Sequence, residues 1–377
     1  MKRTPQRGFS IVEMMVAITI GLFLLAGAIS VFLTSKTTYN IQDDLGRIQE
    51  NARFTLEQLT FDLRMAGYYG CSASLGEVHN HVVGAAGGTL LDTTSPVEGF
   101  ESGTAAWLPS GNVDVAGIVP DTDAITIRYF EPTGVQIAAE MAQSSSDITL
   151  TPLDSGLKQG EVVAVSDCAS ADIIQITGPA GAAPGEDGLI EHTVGEGPLP
   201  QNAQPADVAC GAGAPANCLS KNYDVDAQIL RLAAYRYFIG SDPDGDPALF
   251  RIPLGIDEAG GSYDLTTTPE QLVDGVEAMQ ITYGVDSNGD QIPDFYVPAN
   301  DDGTGVPATG VDLTTADGWN NVIGVRIGLL FRSVEETAPD VDSNAYTVNG
   351  VDYGPFDDRR RRRVFQTSVL MRNMKTR

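Results

Sequence analysis

The sequence predicts an α+β protein: a long N-terminal α-helix, membrane-spanning in its first half, packed on a C-terminal antiparallel β-sheet with long loop insertions. Three observations carry this reading. An uncharged apolar run of membrane length stands near the N-terminus. A helical apolar stripe continues past it, with no proline between Pro5 and Pro96. Beyond residue 66 the pattern changes to short β-rich runs separated by Gly, Pro, Asp and Ser, and 41 glycines with 21 prolines in 377 residues argue against an all-helical body.

Residues 1–8, MKRTPQRG, form a short leader with three bases and no acid. From Met14 to Leu33 there is no charge, and only Thr19 and Ser30 are polar. At about 1.5 Å per residue these residues span roughly 30 Å, the thickness of a hydrocarbon core, which places a transmembrane segment at about 12–33. A secretory signal peptide is the plainer reading. The run is longer than a usual h-region, however, and no small-x-small cleavage site follows it. Ile41, Leu45, Ile48, Ala52, Leu56, Leu59 and Leu63 then recur at spacings of three and four, one apolar stripe of an amphipathic helix. Asp43, Asp44, Arg47, Glu50, Arg53, Glu57, Asp62 and Arg64 fall on the other faces. The pattern predicts one helix over 9–66, with Gly21, Gly27 and Gly46 as its weak points. The glycines of Gly67-Tyr68-Tyr69-Gly70 suit its C-terminal cap.

The body, 67–377, shows candidate strands at 124–130, 147–150, 161–165, 173–177, 229–239, 278–285, 322–332 and 364–372, the last two alternating well enough to pair. Residues 178–218 are rich in Gly, Ala and Pro and read as a surface loop or insertion. Fifty acids oppose 23 bases, a net charge of −27. That charge disfavours nucleic acid as a partner of the body. The bases cluster at the ends: 359–377 holds eight and no acid, which leaves 12 bases against 50 acids in the 350 residues between the two basic ends. Arg359–Arg363 therefore reads as a charged loop whose arginines pair with acids of this or a neighbouring subunit.

Cys71, Cys168, Cys210 and Cys218 make an even count beyond a membrane segment, which fits disulfides in an oxidising compartment such as the periplasm. Three pairings are open. The turn-forming segment between Cys210 and Cys218 favours a local bridge, which would leave Cys71 with Cys168. A metal site with His79 and His81 competes only weakly, since no CxxC occurs. Asp286, Asn288, Asp290, Ile292 and Asp294 follow the first part of a calcium loop, with side-chain oxygens at positions 1, 3, 5 and 9 and a carbonyl at 7. Gln291 and Val297 stand where such a loop has its glycine and its bidentate glutamate. The alternative is a solvated turn. Asp242, Asp244 and Asp246 repeat the spacing but read as a plain turn. The chain has no GxxxxGK[ST], GxSxG or HExxH, and three histidines offer little general-base capacity, so no enzyme is expected.

Glu13, a carboxylate at the edge of a membrane segment, needs a partner. In Gly8-Phe9-Ser10-Ile11-Val12-Glu13, behind a basic leader and ahead of a long apolar helix, the sequence resembles the class III signal of type IV prepilins and related pseudopilins. The resemblance implies cleavage after Gly8 by a prepilin peptidase that also N-methylates Phe9. It implies further that Glu13 pairs with the N-terminal amine of a neighbouring subunit. Together with 62–71, 166–173, 325–333 and the Arg-rich end, the chain resembles a PilW-type minor pilin, with the resemblance weak over 178–275. That resemblance implies a pilin-like fold and a place first in the inner membrane, single-pass with the body in the periplasm, then in the pilus at the cell surface. The implied partners are other minor and major pilins, the prepilin peptidase, the inner-membrane assembly platform and the lipid bilayer. The implied role is to prime or cap the fibre within a minor-pilin complex. A type II secretion pseudopilin, a calcium-dependent tip adhesin or binding module, and a membrane-anchored enzyme or sensor are the other classes.

Overall fold

The structure, a computed structural model, describes residues 10–70, 78–83, 95–101, 118–153, 155–179, 188–195, 201–210, 217–253, 269–304 and 308–374. Helix α1 (Ile11–Met65) runs unbroken for 55 residues, about 82 Å at the helical rise. It passes through Gly21, Gly27 and Gly46 without interruption. Ser10 caps its start by accepting the Val12 N–H at 3.3 Å. In the apolar half, the hydroxyls of Thr19, Thr34, Thr37 and Thr38 donate to carbonyls one turn back at 2.7–3.0 Å. Polar side chains are thereby satisfied without a water partner. At the far end the Asn373 amide donates to the carbonyls of Arg64, Met65 and Ala66 at 3.1, 3.3 and 3.3 Å, covering acceptors that the helix leaves open. Gly67 turns the chain at φ 71°, and a Cβ there would press on Pro96 and Met374 at 3.3 Å.

Among the described residues the body holds two main sheets and two two-stranded ones. The large one uses β1 (Val78–Asn80), β3 (Val97–Phe100), β4 (Ala124–Ile137), β5 (Ile148–Thr151), β6 (Val162–Ser166), β7 (Ala171–Gln175), β8 (Leu189–Ile190), β10 (Gln228–Ser241), β11 (Pro247–Pro253) and β12 (Glu270–Asp274). Its order is β1-β7-β6-β10-β4-β5-β8, with β3 added on β4 and β11-β12 on β10. All its pairings are antiparallel except β1 with β7. The small sheet runs β14-β13-β15-β18, from β13 (Val276–Val285), β14 (Phe295–Val297), β15 (Val322–Arg332) and β18 (Arg362–Leu370). The two strands expected to pair do so: β15 and β18 align antiparallel over nine residues without a register shift. Hairpin β16 (Tyr346–Val348) with β17 (Val351–Tyr353) covers one face of this sheet, and β2 (Val82–Val83) pairs β9 (Gln201–Asn202). A four-residue helix, α2 (Ala316–Trp319), precedes β15.

Two expectations change in detail. Strand β4 continues past 130 through Pro132 and Gly134 because a register shift opposite Ile229 and Leu230 absorbs them. The region 178–218 is not only loop: it supplies β8 and β9 and buries Ile190, His192 and Cys218.

The main core lies where α1 crosses both sheets. Ile48, Ala52, Leu59, Leu63 and Ala66 meet Ile125, Ile127 and Tyr129 of β4, Tyr237 of β10, Met279, Ile281 and Tyr283 of β13, and Ile327 and Leu329 of β15. Ile41 and Leu45, where the helix leaves the body, are only half-buried. A second core, around Ile137, Ile148, Val163, Ile174, Leu219 and Ile229, fills the distal lobe. The sheets are stitched by Asp123, whose backbone N–H reaches the Met279 carbonyl at 2.9 Å and whose carboxylate accepts the Ile281 N–H at 2.7 Å.

Asp62 departs from the helical-wheel expectation. It faces inward, 1% exposed. Its carboxylate accepts the hydroxyls of Tyr129 on β4, at 3.0 Å, and Tyr237 on β10, together with the Gln58 amide at 3.3 Å. Burial first, and then the Asp62 charge, push both tyrosine hydroxyls well above their ordinary pKa. Asp62→Ala leaves two buried hydroxyls without their acceptor, so a loss of about 2–4 kcal/mol in denaturant unfolding is expected, with Asp62→Asn losing less. Gly99 on β3 sits against the ring of Tyr283, where a Cβ would lie 2.1 Å from the hydroxyl oxygen. Gly99→Ala should therefore cost about 1–3 kcal/mol in the same measurement.

Candidate assembly interface

The candidate interface begins on α1. Every large apolar side chain from Ile11 to Leu33 is exposed, Phe23 by 77%, and this is the one described helix long and apolar enough to cross a membrane. Glu13 lies in the first turn, on the exposed surface, the only acid there. Carboxylates are favoured at a helix N-terminus by the open N–H groups and the dipole. Gly8 and Phe9, the expected processing pair, lie outside the described residues.

Cys210 and Cys218 are joined by a disulfide. Cys168 is disulfide-bonded as well, while Cys71 lies outside the described residues. Cys168 occupies the left-handed region, φ 70°, in the turn from β6 to β7. Asp167 holds that turn by accepting the N–H groups of Ala169 and Ser170, both at 3.2 Å, and it pairs with Lys221.

The histidines turn to different acids. His79 Nδ1 lies 2.7 Å from Asp207 and His81 Nε2 lies 2.6 Å from Asp172. Asp172, fully buried, also accepts from Tyr223 Oη at 2.6 Å and from the hydroxyl and N–H of Ser220. Burial would raise its pKa, but the hydrogen bonds from His81, Ser220 and Tyr223 outweigh burial and hold the carboxyl below its usual range. Sequence reasoning did not single out this network. Its only signal was an aspartate in an apolar strand, Ala171-Asp172-Ile173.

In the calcium-loop candidate, Asp286 accepts the N–H groups of Asn288, Gly289 and Gln291 at 3.2, 2.7 and 2.8 Å. Asp294 accepts from Ser287 and the Asn288 amide, and Asp290 from the Ile292 N–H at 2.8 Å. Ile292 is 63% exposed. Among the described residues no three His, Cys, Asp or Glu side chains are grouped to hold a metal ion. The hydrogen bonds within 286–294 account for the loop as a turn. Asp242 likewise closes its own turn onto the N–H groups of Asp244 and Asp246 at 2.9 and 2.8 Å.

Two residues of the arginine run, Arg360 and Arg362, fold onto acids of their own chain. Arg362, with its side chain fully buried, meets Glu277 at 2.6 Å, Asp358 at 2.6 Å and Asp342 at 3.3 Å, and stacks 3.6 Å over the Phe356 ring. Arg332 and Arg360 converge on Asp246. These bonds anchor the start of β18. The Arg362 guanidinium bonded to Asp358 pulls that carboxyl down to about 2. A depressed acid contributes stability that is present above its unfolded pKa, about 3.9, and lost as pH falls through the folded value. Asp358→Asn should therefore differ from wild type in thermal midpoint by a constant amount above about pH 5, with the difference shrinking between about pH 4 and 2. Arg362→Ala takes the buried cation from three acids, of which Glu277 keeps only Arg332 at 3.5 Å, and should destabilise by about 3–5 kcal/mol.

A family model described as type IV pilus-assembly protein W matches residues 236–373, from the middle of β10 past the end of β18, and the model of the prokaryotic N-terminal methylation motif matches residues 3–29. No curated protein and no solved structure matches the chain. The methylation motif and the apolar helix place the chain in the inner membrane as a single-pass protein and then in the pilus at the surface. With a match to the prepilin signal at one end and to the pilus-assembly family over 236–373 at the other, the chain resembles a PilW-type minor pilin.

Proposed function

We propose that this protein is cut after Gly8, methylated on Phe9 and incorporated into a minor-pilin complex that primes or caps the type IV pilus. Its partners are other pilins, the prepilin peptidase and the inner-membrane assembly platform. The observation that carries the reading is the division of α1. Residues 11–33 expose apolar surface on all sides, with one acid, Glu13, at the entry. Residues 48–66 are locked into the body. A helix of that kind has two environments to fill, lipid before assembly and the helices of other pilins after it. An ammonium and a carboxylate brought together in low dielectric attract strongly, and each is costly alone. Pairing of Glu13 with the methylated amine of an adjacent subunit therefore favours one axial register. The body has a structural role, as pilin-family domains do.

Two variants separate processing from assembly. Gly8→Val should retain the leader, seen as the unprocessed mass of membrane-extracted protein. Glu13→Ala should be processed and inserted normally, yet be recovered with partner pilins at about a tenth of the wild-type yield or less, the effect of losing about 1.4 kcal/mol or more. Normal co-purification and piliation with Glu13→Ala would remove the assembly role from this carboxylate. A deletion strain should lose surface pili while type II secretion continues; the reverse phenotype would overturn the pilus assignment.

A further inference from the structure

The small sheet ends in two very different edges. At one edge β14 has three residues, between Pro293 and Pro298. Short strands and flanking prolines are how sheets discourage further pairing. At the other edge β18 has nine residues, with no proline and no bulge. No strand and no backbone hydrogen bond reaches its outer side among the described residues.

Beside this edge α1 leaves a groove of about 600 Å³, lined by Gln49, Arg53, Leu56, Thr60, Phe61 and Phe365, among others. Its apolar floor is only partly covered: Phe61 is 58% exposed, and Phe365, packed edge-on against Phe331 at 5.6 Å, is half-buried. The rim is basic. Arg53 bonds Glu57 at 2.9 Å, but Arg64 and Arg363 have no carboxylate partner among the described residues, and the Arg363 guanidinium sits 5.3 Å over the Phe365 ring. This basic rim stands on a chain of net charge −27.

We propose that the β18 edge and this groove form a docking site for an extended, acidic segment of another pilin. The segment adds a strand to β18 through main-chain hydrogen bonds. Alternate side chains drop an apolar group between Leu56, Phe61 and Phe365 and set carboxylates against Arg64 and Arg363. The open edge supplies binding that is independent of sequence, the floor an apolar pocket, and the rim selects the sign of the partner's charge. The inference rests on the reading of the chain as a member of a minor-pilin complex.

The test is photo-crosslinking of the full-length chain in piliated cells, with a photoreactive phenylalanine placed singly at Gln366 on the edge, Phe61 in the groove, or Asp352 on the β16–β17 hairpin as control. Adducts to another pilin from positions 366 and 61, and none from 352, are expected. The double variant Arg64→Glu, Arg363→Glu should lower their yield at least about fivefold at equal protein level. Recovery of the chain with other pilins but without adducts from 61 and 366 overturns the docking site alone. So do adducts that ignore the charge reversal, and adducts solely to lipid or to a second copy of this chain. Absence of the chain from every pilin complex overturns the assembly reading, and the docking site with it.

Discussion

The structure depends on the contact that fixes the second half of α1 to the sheet, and Asp62 stands at its centre. The apolar stripe of the helix supplies the adhesion, since Ile48, Ala52, Leu59 and Leu63 are almost entirely removed from solvent. Adhesion of that kind is non-directional. Asp62 adds direction: its two carboxylate oxygens take hydroxyls from β4 and β10, adjacent strands of the large sheet. A slide of the helix by one turn would break both bonds and leave an unpaired charge in the core. Asn373 fixes the same end from outside through the last helical carbonyls. The consequence reaches the function. In the proposed assembly, a helix that presents Glu13 at a set depth needs a body that does not shift along it.

The body divides its tasks between its two sheets. The small sheet and the part of β10 that lies over it belong to the segment matched by the pilus-assembly family, and they carry most of the helix contact. The distal part of the large sheet has its own core and a buried polar centre at Asp172. His81, Ser220 and Tyr223 converge on that centre from distant stretches of sequence. Such a network holds loops that have little apolar surface of their own, and the Cys210–Cys218 bridge reinforces the same lobe.

Charge follows the same logic of local use. The basic C-terminal run does not act as a patch, because Arg360 and Arg362 are drawn into the acids around Glu277 and Asp246. Pairing these arginines with buried or half-buried acids relieves part of the self-repulsion of a chain of net charge −27. Arg64 and Arg363, which have no carboxylate partner among the described residues, stand beside the open β18 edge.

The long helix, its membrane half, the change to β structure near residue 66 and the pairing of β15 with β18 were legible in the sequence. Each depends on a local period, 3.6 or 2, that apolar side chains write directly into the chain. Glu13 stood out in the sequence for a related reason, since one charge in an apolar run has no local explanation, and the structure places it in the exposed first turn of α1. Other features depended on partners far away in sequence. Asp62 reads as a surface acid on a helical wheel, and only the arrival of Tyr129 and Tyr237, 67 and 175 residues later, makes its burial tolerable. Asp172 is the same case, and so is β4, whose Pro132 and Gly134 look like an end until the shift opposite β10 accommodates them. The spacing of 286–294 follows the first part of a calcium loop, and the fold adds that Asp286 accepts the loop's own N–H groups. Periodicity is a property of neighbours along the chain, and it determined the elements of this protein. The satisfaction of buried charge is a property of neighbours in space, and it was decided when the elements packed.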